Sequence, residues 1–240
     1  KIVPLKLDSR KSTENSRAIL ALTSMGLDAS DIGGYDLTGA LSDMTYVKKQ
    51  GINGPIFALI ALDSGNYEIK PLASGTAKTQ VTREKLVTYI LDNELKNGGF
   101  CLSGTSPDPD VTAMALQALA PYYKGSTDVS EQVRGQVTEA VNRGICVLSE
   151  IQNEDGTYSS WGTKNAESTA QVLVALSSLG LDGDTDVRFI KNGHSVLDGL
   201  EQFYLTGKGA FEHVASDGGN QMATEQAFYA LVSYDRYKNN

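Results

Sequence analysis

The sequence predicts an all-α fold in which helical hairpins follow one another around a common axis. Three observations predict it. Segments with a single apolar stripe alternate with segments that are apolar on nearly all sides, as outer and inner helices do. A glycine and then an aromatic residue close two of the amphipathic segments. The pattern recurs after 58 residues, and a recurrence at this length is typical of helical repeats.

The repeat is best defined over residues 143–158, RGICVLSEIQNEDGTY. A helical stripe enters this segment, and its apolar residues are Val133, Val137, Val141, Leu148 and Ile151. Asp155 and Gly156 then predict the end of the helix, and Tyr158 is placed to pack back on the turn. The same register occurs 58 residues earlier, at Lys85, Tyr89, Ile90, Glu94, Gly98 and Phe100.

The apolar helices align on three threonines, Thr112, Thr169 and Thr224, which are 57 and 55 residues apart. Each repeat is therefore predicted to contain an outer helix, a glycine–aromatic turn and an inner helix. Stacked hairpins of this kind form an open solenoid or a closed ring. Alanines on the inner helices allow close approach, which favours the ring with parallel inner helices.

The periodicity predicts nine helices and no strand. Their ranges are 15–25, 37–50, 54–62, 82–95, 110–123, 129–152, 167–179, 195–205 and 222–234. Residues 64–80 are predicted to be a polar loop. Residues 1–11 are predicted to be an N-terminal arm or linker, and residues 12–238 a single domain.

Composition excludes some classes of partner. The chain has 240 residues, 40% of them hydrophobic, and a formal net charge of −8. An acidic balance argues against nucleic acid, because phosphate binding needs clustered Lys and Arg. No apolar run is long enough to span a bilayer.

Cysteine and aspartate usage leave two smaller questions open. Cys101 and Cys146 form either one disulfide or two buried thiols. The LDGDTD segment at 181–186 is either an acidic surface loop or a weak Ca²⁺ site, although it lacks the Gly and Glu of an EF-hand loop.

Several motifs together resemble the terpenoid cyclase and protein prenyltransferase superfamily, whose fold is an α/α toroid. Residues 143–158 resemble its QW repeat, with Tyr158 in place of Trp. The segments DVTAMALQALA, ESTAQVLVALSSLG and NQMATEQAFYAL resemble inner helices of the transcobalamin and intrinsic-factor group. They are even more similar to secreted, surface-attached bacterial relatives of that group.

The resemblance implies an all-α, partial α6/α6 barrel and a protein that is extracellular or attached to a cell surface. A complete toroid of the superfamily has six hairpins, whereas the pattern here supplies about four and a lone first helix. Cobalamin carriers hold their ligand between the toroid and a separate β domain. The residues after Tyr237 are too few for such a domain, so this chain would form half of a cobalamin-like site.

Parallel inner helices bring their N-termini to one mouth, which we predict to be the ligand-binding site. The candidate ligand-binding residues are Asp110, Thr112, Tyr158, Trp161, Glu167, Thr169, Phe211, Asn220 and Thr224. Taken singly, they also fit structural roles, since Asp110 and Asn220 suit helix N-caps and the threonines suit first helical turns.

Catalysis is the alternative. Asp108-Pro109-Asp110-Val111 approaches the Asp-x-Asp-Asp acid motif of class II cyclases but lacks its last Asp. A zinc site of the prenyltransferase type needs Asp, Cys and His ligands. The only histidines of the chain are His194 and His213. We therefore predict no resident metal.

The sequence favours a non-catalytic domain that binds a small molecule or a surface partner. The candidate ligands are a cobalamin-like cofactor and a hydrophobic molecule. A cyclase or prenyltransferase-like enzyme that uses Asp108 and Asp110 remains an alternative, as does a structural spacer beside a further domain of the parent chain.

Overall fold

The structure is a computed structural model that describes residues 2–72 and 78–239. The chain divides into two compact units. The first unit comprises Lys1–Asn93 and Ser126–Val137, and the second comprises Glu94–Gly125 and Thr138–Asn240. The predicted loop over 64–80 is described only in part, because residues 73–77 lie outside the described residues.

The first unit is built on two parallel helices. Its elements are β1 (Val3–Pro4), α1 (Ser12–Ser24), β2 (Tyr35–Asp36), α2 (Met44–Val47), α3 (Asn53–Ser64) and α4 (Arg83–Leu91). The start of α1 meets the residues before α3, since Thr13 donates to the Gln50 side chain. The end of α1 meets the residues after α3, where the hydroxyls of Thr23 and Tyr67 are 2.8 Å apart.

The prediction of one helix over 37–50 is wrong. The structure has short 3₁₀ turns at Thr38–Ser42 and Lys48–Gln50 on either side of α2. Asp43 breaks the helix because its backbone is extended and its side chain accepts the Thr45 N–H. Asp commonly competes with the helix in this way, by bonding to nearby backbone groups.

Residues 2–11, predicted to be an arm or linker, lie along the first unit. Val3–Pro4 pairs in parallel with Tyr35–Asp36. The side chain of Asn15, which is fully buried, donates to Leu5 O and accepts from the Leu7 N–H. These bonds attach the segment to α1.

The second unit contains three apolar helices that begin at the same end. Its elements are α5 (Pro109–Tyr123), α6 (Glu131–Ile151, which starts in the first unit), β3 (Tyr158–Ser160), β4 (Thr163–Asn165), α7 (Ala166–Leu179), α8 (Val196–Glu201), β5 (Tyr204–Leu205), β6 (Ala210–Glu212), β7 (Gly219–Asn220) and α9 (Gln221–Asn239). Helix α7 packs on both α5 and α9. Ser168 in the first turn of α7 donates to Asp110 in the first turn of α5. Tyr234 near the end of α9 donates to Asp182, just after α7.

Each apolar helix is joined to the aromatic turn before it by a threonine hydroxyl. Thr112 Oγ1 accepts the Phe100 N–H at 2.9 Å, and Thr169 Oγ1 accepts the Tyr158 N–H at 3.0 Å. Thr224 Oγ1 accepts the Phe211 N–H at 2.9 Å. The aligned threonines therefore have one structural role, which fixes each inner helix against its turn.

The predicted glycine–aromatic corner after α6 is present. Gly156 has a φ of 83°, and Gln152 Nε2 donates to Gly156 O and Phe189 O. The backbone of Gly156 lies so close to α8 that a Cβ on Gly199 would be 2.4 Å from the Gly156 carbonyl carbon. Both glycines are therefore required by the close approach of two backbones.

Other details differ from the sequence predictions. Strands are present, as the antiparallel pair β3–β4 and the three-stranded order β5–β6–β7. Helix α8 ends at Glu201 instead of residue 205, because Tyr204 and Leu205 pair with β6.

Both cysteines are free thiols, and Cys146 is exposed. Within the described residues, no helix is long and apolar enough to cross a membrane.

The LDGDTD loop uses its carboxylates internally. Asp182 accepts from Tyr234 and pairs with Lys238 at 2.9 Å. Asp184 accepts the Ser195 hydroxyl, and Asp186 pairs with Arg188. The loop fastens α8 and α9 to the end of α7, and this role accounts for its acidic residues.

We expect Thr169→Val to lower the free energy of unfolding by about 1 to 3 kcal/mol, because it leaves the buried Tyr158 N–H without its acceptor. Chemical denaturation measures the change. Thr206→Val, at an exposed position, is the matched control and should stay within about 0.5 kcal/mol of the parent. Equal effects of the two substitutions would contradict the proposed role of Thr169.

We expect Gly199→Ala to destabilise the protein by about 3 kcal/mol or more, since the new methyl group would collide with the Gly156 backbone. Gly135→Ala is the control, because a Cβ at that helical position meets no atom within 4 Å. It should be neutral or stabilising by up to about 1 kcal/mol. Thermal unfolding of both variants tests the close approach.

Candidate functional site

A groove runs along the starts of the apolar helices in the second unit. It consists of two adjoining cavities of about 430 and 520 Å³. Four residues line both cavities: Asp110, Met114, Ser160 and Trp161. The first cavity extends over the segment 101–111. The second extends towards α7 and α9, where its walls include Glu167, Gln171, His213, Met222 and Gln226.

The aligned threonines set which helix residues face the groove. On each apolar helix, one groove residue lies two positions before the threonine and another lies two positions after it. On α5, α7 and α9 these pairs are Asp110 and Met114, Glu167 and Gln171, and Met222 and Gln226. Residues four apart lie on one face of a helix. The threonine faces the turn, and the neighbouring face is left open.

Trp161 lies at the tip of the β3–β4 hairpin, beside both cavities. Its turn consists of Trp161 and Gly162, with φ values of 51° and 79°, as a type I′ hairpin requires. A bulky residue in this left-handed region is strained. The side chain is also 88% exposed. An exposed, strained tryptophan beside a cavity is typical of a binding residue.

Two aspartates at the start of α5 differ in their surroundings. Asp108 caps the helix by accepting the Val111 N–H at 3.1 Å, and it also accepts the Ser160 hydroxyl at 2.7 Å. Asp110 is half-buried and accepts the Ser168 hydroxyl at 3.1 Å. Burial, and then the charge of Asp108, raise the pKa of Asp110 to about 6.

The raised pKa means that ionised Asp110 destabilises the folded protein at neutral pH. Its side chain has no Lys or Arg partner among the described residues. Acids held in this way concentrate at functional sites, because their interactions are reserved for a ligand or a reaction.

The opposite wall carries a second polar cluster. The Nδ1 atom of His213 lies 2.7 Å from Glu167 Oε2. Gln171 donates to Gln117, which donates to the Tyr229 hydroxyl at 2.7 Å. The two glutamine bonds join α5, α7 and α9. Within residues 2–72 and 78–239, no three His, Cys, Asp or Glu side chains form a metal-binding group.

The structure brings three of the predicted site residues, Asp110, Trp161 and Glu167, to the groove. It places six others in structural roles. Thr112, Thr169 and Tyr158 are fully buried, and Phe211 is 8% exposed. Asn220 accepts the Ala223 N–H at the start of α9, and Thr224 bonds to the Phe211 turn. The fold uses these six side chains for packing or hydrogen bonds, and none of them lines the two cavities.

Several groove residues are not among the candidates that the sequence predicts. Met114, Gln171, Met222 and Gln226 are on inner helices, and Ser160 is on β3. The available signal was the presence of polar and methionine side chains two positions from each aligned threonine. Helices that are buried on all sides seldom carry Glu and Gln, so these positions indicated an open face.

No protein-family model matches the chain, and no curated protein matches it. Solved structures do match, and among them is Candida albicans protein geranylgeranyltransferase-I complexed with GGPP. That match has 17% sequence identity and a TM-score of 0.52, and it covers 78% of this chain and 50% of the other. The chain thus spans half the length of that protein. The likeness confirms the predicted α/α toroid fold.

We expect Asp110→Asn to raise the free energy of unfolding at pH 7 by about 2 kcal/mol, because it removes a carboxylate that burial disfavours. The folded pKa lies above the ordinary 3.8, so the folded protein loses stability as the pH rises from about 4 to about 6. The difference in unfolding free energy between variant and parent should therefore vanish at about pH 3.5.

Asp182→Asn is the matched control, and its effect should have the opposite sign. Burial opposes ionisation there, but bonds from Lys238, Asp184 and Tyr234 outweigh it and hold the pKa of Asp182 well below its usual range. This variant should lose about 1 kcal/mol at pH 7, and the loss should fade as the pH falls through 3.8 and below. Urea denaturation at both pH values measures the two differences, and equal signs would contradict the account.

Proposed function

We propose that the second unit binds a small ligand in the groove and that it does so without catalysis. The observation that carries the proposal is the junction of the two cavities. There an acid with a raised pKa, a flexible methionine and an exposed, strained tryptophan face the same space. All three lower stability or expose apolar surface, so binding is the role that accounts for them together.

The size and lining of the groove support a small amphipathic ligand. Cavities of about 300 to 1,000 Å³ are typical of small-molecule sites, and these measure about 430 and 520 Å³. Met114 and Met222 supply adaptable apolar contacts, because the thioether side chain is flexible and polarisable. Ser160, Gln171 and Gln226 supply hydrogen-bonding groups for a polar head.

An enzyme of the cyclase or prenyltransferase type is the second candidate. It is favoured by the Asp108–Asp110 pair, because two neighbouring carboxyls in different surroundings are an arrangement used for acid–base chemistry. Against it, Asp108 is already bonded to the Val111 N–H and to Ser160. Pro109, the first residue of α5, also restricts the backbone between the two aspartates. Loss of turnover of a polyprenyl substrate in Asp110→Asn would favour the enzyme.

Three further expectations remain predictions. They are a closer relationship to the transcobalamin-like bacterial domains, an extracellular or cell-surface location, and a cobalamin-like ligand. All three come from the resemblance of the inner-helix segments. A structural spacer would leave the groove without a ligand, and the binding experiment tests that alternative directly.

Binding can be followed through two natural reporters. Trp161 is the only tryptophan of the chain, and Cys101 lines the first cavity. We expect at least one of cyanocobalamin, farnesol, hexyl glucoside and hexyltrimethylammonium to change Trp161 fluorescence saturably. The same ligand should slow alkylation of Cys101 but not of the exposed Cys146.

Met114→Arg should abolish both responses, because it fills the junction of the two cavities. Met25→Arg, the same substitution at a position that is 64% exposed in the first unit, should retain them. A saturable response from none of the four compounds would count against the binding proposal and would favour the spacer.

A further inference from the structure

We infer that the groove selects an organic cation, namely an amine or quaternary ammonium group carried on an apolar body. This inference rests on the proposed binding function and names the chemical class of its ligand. It depends on the charges that line the groove, on the capping of the helix starts and on the position of Trp161.

The charged lining of the groove is acidic. Asp108, Asp110 and Glu167 line its walls, and neither cavity has Lys or Arg in its described lining. The wider charge distribution agrees. The sequence of the second unit has 9 Lys and Arg against 17 Asp and Glu, which accounts for the whole net charge of −8. The first unit has 12 of each and is neutral. A field of one sign attracts ligands of the other.

The helix starts do not offset this preference. Free N–H groups at helix N-termini attract anions, and three such termini lie near the groove. Each is already capped by its own side chain. In each case the side chain accepts a backbone N–H: Asp108 accepts that of Val111, Asn165 accepts that of Ser168, and Asn220 accepts that of Ala223. An anionic head group would therefore meet carboxylates and occupied N–H groups.

Trp161 supplies the other half of a cation site. A cation over the face of an indole is attracted by the ring electrons, and quaternary ammonium groups are commonly bound in this way. The exposed Trp161 ring borders the same two cavities as Asp110 and Met114. An ammonium group between Trp161 and Asp110 would leave its apolar body against the methionines.

The positive charge of such a ligand would neutralise the carboxylate charge of Asp110. Asp110 accepts a hydrogen bond from the neutral Ser168 hydroxyl, whereas Glu167 on α7 is already paired with His213. Lys164, on the β4 side of the hairpin, is engaged with Asp155. Burial and Asp108 both disfavour the ionised state of Asp110 and raise its pKa, and a bound cation would relieve both effects.

A head-group series tests the inference. Hexyltrimethylammonium, hexyl glucoside and hexyl sulfate share one apolar chain and differ in charge. Titrations followed by Trp161 fluorescence at about pH 7.5 should give the ammonium compound an affinity at least about 10-fold above the glucoside. The sulfate should bind more weakly than either. Raising salt from about 50 to about 500 mM should weaken only the ammonium compound.

Two groove variants and one control locate the effect. Asp110→Asn and Glu167→Gln should each weaken the ammonium compound by about 5- to 10-fold and leave the glucoside within about 2-fold. Glu201→Gln removes the same charge from an exposed position on α8 and should change neither. Asp110→Asn is expected to fold at least as stably as the parent, so its result reports binding.

The outcomes separate the two proposals. If the glucoside or the sulfate binds as tightly as the ammonium compound, the cation inference is overturned and the binding function stands. If Glu201→Gln weakens the ammonium compound as much as Asp110→Asn does, general charge rather than the groove is responsible, and the inference is again overturned. If none of the three binds, the cation inference is overturned, and the binding function then depends on the response to cyanocobalamin and farnesol.

Discussion

The arrangement of the second unit depends on one repeated hydrogen bond. A threonine near the start of each apolar helix accepts the backbone N–H of the aromatic residue in the turn before it. Thr112 and Thr169 are fully buried, so an unmade bond would leave a polar group without a partner in the interior. The bond therefore fixes the height and rotation of each helix relative to its turn.

This constraint also explains where the groove lies. Once the threonine faces the turn, the residues two positions before and after it point to the same neighbouring face. On three helices these six positions all line the groove. They carry Asp, Met, Glu and Gln, whereas the fully buried positions of the same helices are mostly Ala, Leu and Val. One structural bond thus sets both the packing and the register of the site.

Much of the fold could be predicted from the sequence, because helix periodicity and glycine–aromatic turns are local signals. Outer helix α6, inner helices α5, α7 and α9, and the corner at Gly156 follow the expected pattern. The prediction of a helix over 37–50 is wrong because the capping preference of Asp43 outweighs the apolar content around it. The strands have two or three residues each, which is too short for an alternating pattern to show.

The site was only partly predictable, for a physical reason. From the sequence, the aligned threonines are predicted to be ligand contacts because they mark the helix starts. Their hydroxyls, however, are used by the turns. The face of an inner helix that remains open depends on which of its side chains bond to the preceding turn. That choice is set by tertiary contacts and cannot be read from the local sequence. Trp161 could be selected from its position after a turn, but its left-handed backbone and its exposure required the structure.

The proposed site combines features that are unfavourable for the folded protein alone: an acid without a cationic partner and a tryptophan in a strained turn. The central claim is that Asp110 is held in this state for a ligand. The most direct measurement is a ¹³C NMR titration of the Asp110 carboxyl, with and without hexyltrimethylammonium. The account predicts a midpoint at a pH of about 6 in the free protein and a lower midpoint when the cation is bound. A midpoint near the ordinary value of 3.8, unchanged by the cation, would contradict it.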